Sequence, residues 1–221
     1  MTDPLVPTTP HPELDELIAV LEKLRAPGGC VWDREQTHAS LVQYLIEESY
    51  ELVEAIENGS REELIEELGD VLYQVLFHAD IAREAGEFTI EDVAAHMTAK
   101  MIGRHPHVFG DIVAETSDAV IANWDRIKAV EKADRTSVLD GIPPGMPALA
   151  LADKTLGRAA KVGVLRDPVE IPETDDELGQ QLLAMVAGAR HAGLDPERAL
   201  RQAIRGLQAD VRAAEIALRR E

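Results

Sequence analysis

Apolar residues in this chain recur every three or four positions, and no stretch alternates convincingly. Leu14, Leu17, Ile18, Leu21 and Leu24 set the pattern, and it returns along most of the sequence. At 100° per residue such positions share one helix face, whereas a half-buried strand needs a period of two. The spacing predicts helices over 13–25, 41–57, 60–85, 90–103, 119–133, 148–162, 177–191 and 196–220, and an all-α fold. Punctuation agrees with these limits. Ser40 with Gln43 and Ser60 with Glu63 have capping-box spacing. Asn58-Gly59 reads as a left-handed stop and Gly86 as another, Thr89 opens the next helix, and Asp195-Pro196 is a cap followed by a first-turn proline. Positions 30–33 read as a loop. The short link at 58–60 makes the second and third helices antiparallel neighbours.

Composition limits the function classes. Hydrophobic residues make up 45% of the 221 and aromatic residues 4%, so the core must be Leu, Ile, Val and Ala, which suits packed helices. A net charge of −19 repels nucleic acid and anionic membranes, so neither is expected as a partner. It repels free nucleotides as well, and a nucleotide site here needs a metal ion or local cations. Cys30 stands alone, which rules out an intrachain disulfide, reads as a small buried hydrophobe and fits the reducing cytoplasm. Residues 1–12 are proline-rich with no long apolar run, and read as a flexible lead-in rather than a signal peptide or anchor. The expected organisation is a helical domain over 13–163, a polar linker over 164–176 and a small helical unit over 177–221.

The informative stretch is acidic. Glu47, Glu48 and Glu51 stand on the second helix, and Glu63, Glu66, Glu67 and Asp70 on the third. The apolar stripes are Leu41, Leu45, Ile46, Leu52, Val53 and Ile56 on one, and Leu64, Leu68, Val71, Leu72, Val75 and Ala79 on the other. Glu48 and Glu51 border the first stripe, and Glu63, Glu67 and Asp70 the second. Two antiparallel helices can therefore gather Glu48, Glu51, Glu67 and Asp70 beside the core. Carboxylates that close repel one another unless a cation joins them, and oxygen-only ligands select a hard ion such as Mg2+ or Mn2+. The alternative is a solvated acidic face. Two features weigh against it: the residues border the stripe rather than oppose it, and few cations stand at the i+4 positions.

Lys100 and Arg104 lie one turn apart near the end of the fourth helix. Cations there compensate the helix dipole, or they clamp phosphate. Asn123, Trp124 and Lys128 follow on the fifth helix. Trp124 either stacks on a base with Lys128 beside it, or packs in the core under a snorkelling lysine.

Together these residues resemble the MazG family. The chain reads E-E-S-Y-E at 47–51 and E-L-G-D at 67–70, matching the family's metal signature. It continues with K-M-I-G-R at 100–104, R-H-P-H-V-F at 104–109 and N-W-D-R-I-K at 123–128, and G-C-V-W-D at 29–33 is similar to the family's entry loop. The resemblance runs in register from about residue 14 to 163. It implies an all-α homodimer that hydrolyses nucleoside triphosphates to monophosphate and pyrophosphate with Mg2+, or Mn2+ in its place. It implies Glu48, Glu51, Glu67 and Asp70 as metal ligands, Lys100 and Arg104 on phosphates, Trp124 under the base with Asn123 and Lys128 near it, and Tyr44 lining the pocket. Glu63 counts with the substrate-binding set, and Glu47 or Glu48 would position the attacking water.

Long members carry two copies of the helical unit. Here D-E-L-G-Q at 176–180 is similar to a worn second E-x-x-D, and Gly206 and Asp210 fall where the clamp cations belong. The expectation is a truncated second unit without a metal site. Three rivals stand beside this reading: a dUTPase-like or phosphoribosyl-ATP pyrophosphohydrolase of the same superfamily, a di-iron carboxylate bundle, and a non-catalytic helical partner. The di-iron bundle needs Glu-x-x-His pairs on its helices, and only Glu35 to His38 has that spacing.

Overall fold

The computed structural model describes residues 10–114 and 116–220, so most of the expected lead-in lies outside the described residues. Among those described there is no strand. The helices are α1 (Pro12–Arg25), α2 (Val31–Glu35), α3 (Val42–Asn58), α4 (Arg61–Ala85), α5 (Ile90–Arg104), α6 (Pro106–Phe109), α7 (Ser117–Glu131), α8 (Ala148–Ala159), α9 (Asp175–His191) and α10 (Pro196–Leu218). None of them is long and apolar enough to cross a membrane. The chain divides into two compact units, Met1–Asp125 and Arg126–Glu221, with the division falling inside α7.

In the first unit α3 and α4 form the expected helical hairpin. Ser60 caps α4 by accepting from the Glu63 N–H, while Glu63 Oε2 accepts the Ser60 N–H at 2.6 Å. Gly86 closes the helix at φ 73°, in the left-handed region. The stop at Gly59 is different from the one expected. Its backbone is extended (φ −81°, ψ 167°), and a Cβ there would lie 2.6 Å from the Ala55 carbonyl oxygen. Glycine serves a close approach of the chain at this point, not a change of handedness.

The Ser40–Gln43 cap is also corrected. Leu41 is the residue before α3, no side chain caps the helix, and Ser40 is used in the preceding turn, donating to Gln36 Oε1 at 2.7 Å. Burial of Leu41 at 1% exposure fixes this end. Positions 30–33, expected as loop, enter the short helix α2, and Pro106 opens the single-turn α6, where its ring suits a first helical position.

Leu21, Leu41, Leu76 and Phe77 form the core of this unit, with Leu17, Ile18, Tyr44, Tyr73, Ile81 and Ile90 around them. Arg25 locks α1 onto α4. Its Nε donates to Asp80 Oδ2 at 2.7 Å, its Nη1 to the Asp33 carbonyl at 2.6 Å and its Nη2 to Glu84, while the guanidinium carbon sits 5.1 Å from the Phe77 ring centroid.

The stripes expected to face the core are only partly buried. Ile46 and Val53 on α3 are 51% and 48% exposed, and Leu68, Leu72 and Val75 on α4 are exposed as well. A 3.6 period shows that a face is apolar but not what covers it, and one hairpin offers each helix a single neighbour along that line.

In the second unit α8 packs along α10. Leu139, Ala159, Leu207 and Val211 make one cluster, and Ala148, Leu151 and Ile204 another. Side chains of α10 hold the Gly/Pro-rich segment before α8. Glu215 accepts the Val138 N–H at 2.6 Å, Glu197 accepts the Ala148 N–H at 2.9 Å, and Arg201 donates to the Pro144 and Met146 carbonyls at 3.1 Å. Asp195 caps α10 as expected, accepting from the Arg198 N–H with Pro196 in the first turn. Asp210 pairs with Arg166 at 2.5 Å.

Candidate active site

The α3–α4 hairpin brings Glu48 together with Glu67 and Asp70. One oxygen from each lies within 4.8 Å of the other two. Two antiparallel helices joined by so short a link must match residues about equally far from the turn, and that matching produces the cluster. Glu48 and Glu67 are half-buried and Asp70 is exposed. Glu51 stands one turn from Glu48, close enough to accept a hydrogen bond from its protonated carboxyl. A depression lined by Glu51, Glu54, Ala55, Asn58, Glu63 and Glu67 opens beside the cluster. Glu47 lies outside the cluster and is exposed.

The electrostatics are those of crowded carboxylates. Burial pushes the Glu48 carboxyl up from 4.5 to about 7, helped by the charge of Asp70, a hydrogen bond that protonated Glu48 donates to Glu51 and the charges of Glu51 and Glu67. Burial and the charges of Glu51 and Asp70 raise Glu67 too. Glu67 Oε2 is buried and has no hydrogen-bond partner. An orphaned carboxylate oxygen among like charges is costly unless a cation completes it. All the donors are oxygen, which fits a hard divalent ion.

A pH dependence follows. In the metal-free protein the folded state holds a proton on Glu48 up to about pH 7, while an unfolded Glu releases it near 4.5. The resulting stabilisation is full below pH 4.5 and is lost as pH rises through about 7. Divalent binding must displace that proton. Titration calorimetry in buffers of different ionisation enthalpy is expected to show about one proton released per ion near pH 6 and none near pH 9. Affinity should rise roughly tenfold per pH unit below 7 and then level off. A pH-independent affinity would contradict the coupling.

The cationic and aromatic residues lie on α5 and α7. α5 packs against α4, the helix of Glu67 and Asp70, and carries half-buried Lys100 and Arg104 at its C-terminal end. Trp124 on α7 is half-buried, as is Asn123, and its indole meets the His105 ring edge to face with centroids 5.3 Å apart. Lys128 follows one turn later on α7. Tyr44, one turn before Glu48, packs on the core and takes Trp32 edge-on at 5.6 Å. Glu63 is exposed, with one oxygen engaged in capping α4, a hydrogen bond that holds its carboxyl below the usual range.

Sequence reasoning passed over Trp32 and His105 as individual residues. Both stood inside quoted motifs, but only the folded chain places one against Tyr44 and the other against Trp124.

A helical hairpin whose two limbs bring Glu48, Glu67 and Asp70 together defines an all-α protein with a candidate divalent-cation site. Residues 36–109 match the MazG nucleotide pyrophosphohydrolase domain. The chain is 44% identical over 210 residues to the nucleoside triphosphate pyrophosphohydrolase/pyrophosphatase MazG of Thermotoga maritima, covering 86% of this chain and 81% of that protein. It is 40% identical over 217 residues to a nucleoside triphosphate pyrophosphohydrolase of Escherichia coli K12, covering 86% and 82%. An uncharacterized 26.1 kDa protein of Streptomyces cacaoi is 49% identical over 208 residues, covering 93% and 84%. This chain belongs to the MazG family.

Proposed function

We propose that this chain hydrolyses nucleoside triphosphates to nucleoside monophosphate and pyrophosphate with Mg2+ held by Glu48, Glu51, Glu67 and Asp70. The observation that carries the reading is the convergence of Glu48, Glu67 and Asp70 on one position, with Glu67 Oε2 buried and unpartnered. The activity named for the Thermotoga and Escherichia relatives supports it. The same cluster supports Mn2+ as a substitute, since both ions take oxygen ligands.

Held by these carboxylates, Mg2+ would supply positive charge to offset that of the triphosphate. The remaining work falls to the protein. Lys100 and Arg104 bind phosphate oxygens, the first as a point charge and the second as a fork. Trp124 stacks on the base, with Asn123 and Lys128 on the same helix and Tyr44 lining the pocket. Glu47, exposed on α3 and next to Glu48 in sequence, takes the proton as the water oxygen bonds to the α-phosphorus. The bridging bond between the α and β phosphoryl groups breaks, and its electron pair leaves with pyrophosphate. Glu48 faces the other carboxylates and serves as a ligand, and Glu63 borders the adjoining depression.

The exposed apolar line of Ile46 and Val53 on α3 and of Ile65, Leu68, Leu72 and Val75 on α4 supports a homodimer. A surface of net charge −19 supports a partner set without nucleic acid or anionic membrane, and turnover of nucleotides would suit a cytoplasmic location. The order of the motifs supports a catalytic helical domain over 13–163, a linker over 164–176 and a smaller helical unit over 177–221. The D-E-L-G-Q run at 176–180, with Gln180 at the last position of the motif, supports a truncated copy over 177–221.

A panel of ribo- and deoxyribonucleoside triphosphates, assayed for pyrophosphate with Mg2+ and with EDTA, tests the reading. Pyrophosphate and monophosphate in equal amounts, with Mg2+ alone, are expected. Turnover confined to dUTP or to phosphoribosyl-ATP would assign a relative's chemistry instead. No product from any nucleotide with either Mg2+ or Mn2+ would favour the non-catalytic helical partner.

A further inference from the structure

His105 ends α5 directly after Arg104 and also begins α6. Its backbone N–H bonds the Ile102 carbonyl, and its own carbonyl accepts from Val108 and Phe109. The ring is fixed from two sides. Nδ1 lies 2.6 Å from the Met101 carbonyl oxygen. A carbonyl only accepts, so Nδ1 carries the hydrogen and the ring plane is set by that bond. On the other side the ring stands at 78° to the Trp124 indole with centroids 5.3 Å apart, and His107 sits 5.5 Å away. Edge-to-face pairs at this separation attract beyond their buried area and fix the mutual tilt.

The contact joins two parts of the site that α5 and α7 otherwise supply separately. An indole is a useful base platform only if its face is held ready, because a freely turning ring spends binding energy on being ordered. We propose that His105 is the positioning residue for Trp124: its ring, anchored on the Met101 carbonyl, holds the indole at the angle at which it receives a nucleobase. The proposal rests on the stacking role given to Trp124 above. His105 itself touches no reacting atom.

The test uses the full-length protein carrying Trp32→Phe, so that Trp124 is the one indole left. An immobilised indole gives a near-ultraviolet circular dichroism band near 290 nm. His105→Ala is expected to lose that band and to raise KM for dATP about tenfold, with kcat within twofold and the Mg2+-induced thermal shift unchanged. His105→Phe keeps a ring edge against Trp124 and should restore most of the band and of KM. A merely structural loss would lower kcat and melting temperature together and would not be rescued by an aromatic ring.

A band and KM untouched in His105→Ala would overturn the proposal. So would a lost band with unchanged KM, provided Trp124→Ala does raise KM. If Trp124→Ala leaves KM unchanged, the stacking role falls, and the role of His105 falls with it.

Discussion

Glu67→Gln is expected to lower Mg2+-dependent pyrophosphate release roughly 10^3-fold while raising the melting temperature of the metal-free protein. The two effects have one cause. Glu67 stands among Glu48, Glu51 and Asp70, and its buried Oε2 has no partner. An uncharged amide relieves the repulsion that raises both Glu48 and Glu67. The same change removes a ligand charge from the cation site, and losing a single preorganised charge at a reacting phosphate typically costs two to three powers of ten in rate. Thermal melts with and without Mg2+ check the first effect and the loss of the metal-induced rise, and a pyrophosphate assay checks the second. Activity within threefold of the parent would sink the cation site as placed here.

Arg25→Ala is expected to give the largest loss of stability, about 3 kcal/mol, the low end of the cost of breaking a buried ion pair. Arg25 and Asp80 are both nearly inaccessible, with side chains 3% and 5% exposed. The low end applies because Arg83 also reaches Asp80 Oδ1 at 2.7 Å, so the carboxylate keeps one cation. Arg25→Lys should recover little, because a single ammonium cannot serve Asp80, the Asp33 carbonyl and Glu84 together while covering the Phe77 ring. Replacing both Arg25 and Asp80 with apolar residues should recover much of the loss, since no bare buried charge remains. Urea midpoints measure all three, and a change below 1 kcal/mol for Arg25→Ala would mean that α1 is held by its leucines alone.

The helical limits that proved legible rest on short-range chemistry. Ser60 with Glu63, Thr89, and Asp195 with Pro196 each bond within three or four residues, so reading them needs no knowledge of the fold. The carboxylate cluster was legible for a related reason. A link of about two residues leaves α3 and α4 one way to lie side by side, and that pairing delivers Glu48 to Glu67 and Asp70. Ser40 and Gly59 misled because each has a second use: a hydroxyl serves a turn as readily as a cap, and a glycine answers to crowding as well as to handedness.

Periodicity and spacing along this chain thus determined an all-α fold, the hairpin and the meeting of Glu48 with Glu67 and Asp70. Tertiary structure decided the rest. It set Arg25 against Asp80 across 55 residues, chose which side of each apolar stripe is buried, and put His105 against Trp124. Helix geometry gives each side chain a direction about its own axis, but the partner met in that direction depends on how separate helices pack, which no local spacing encodes.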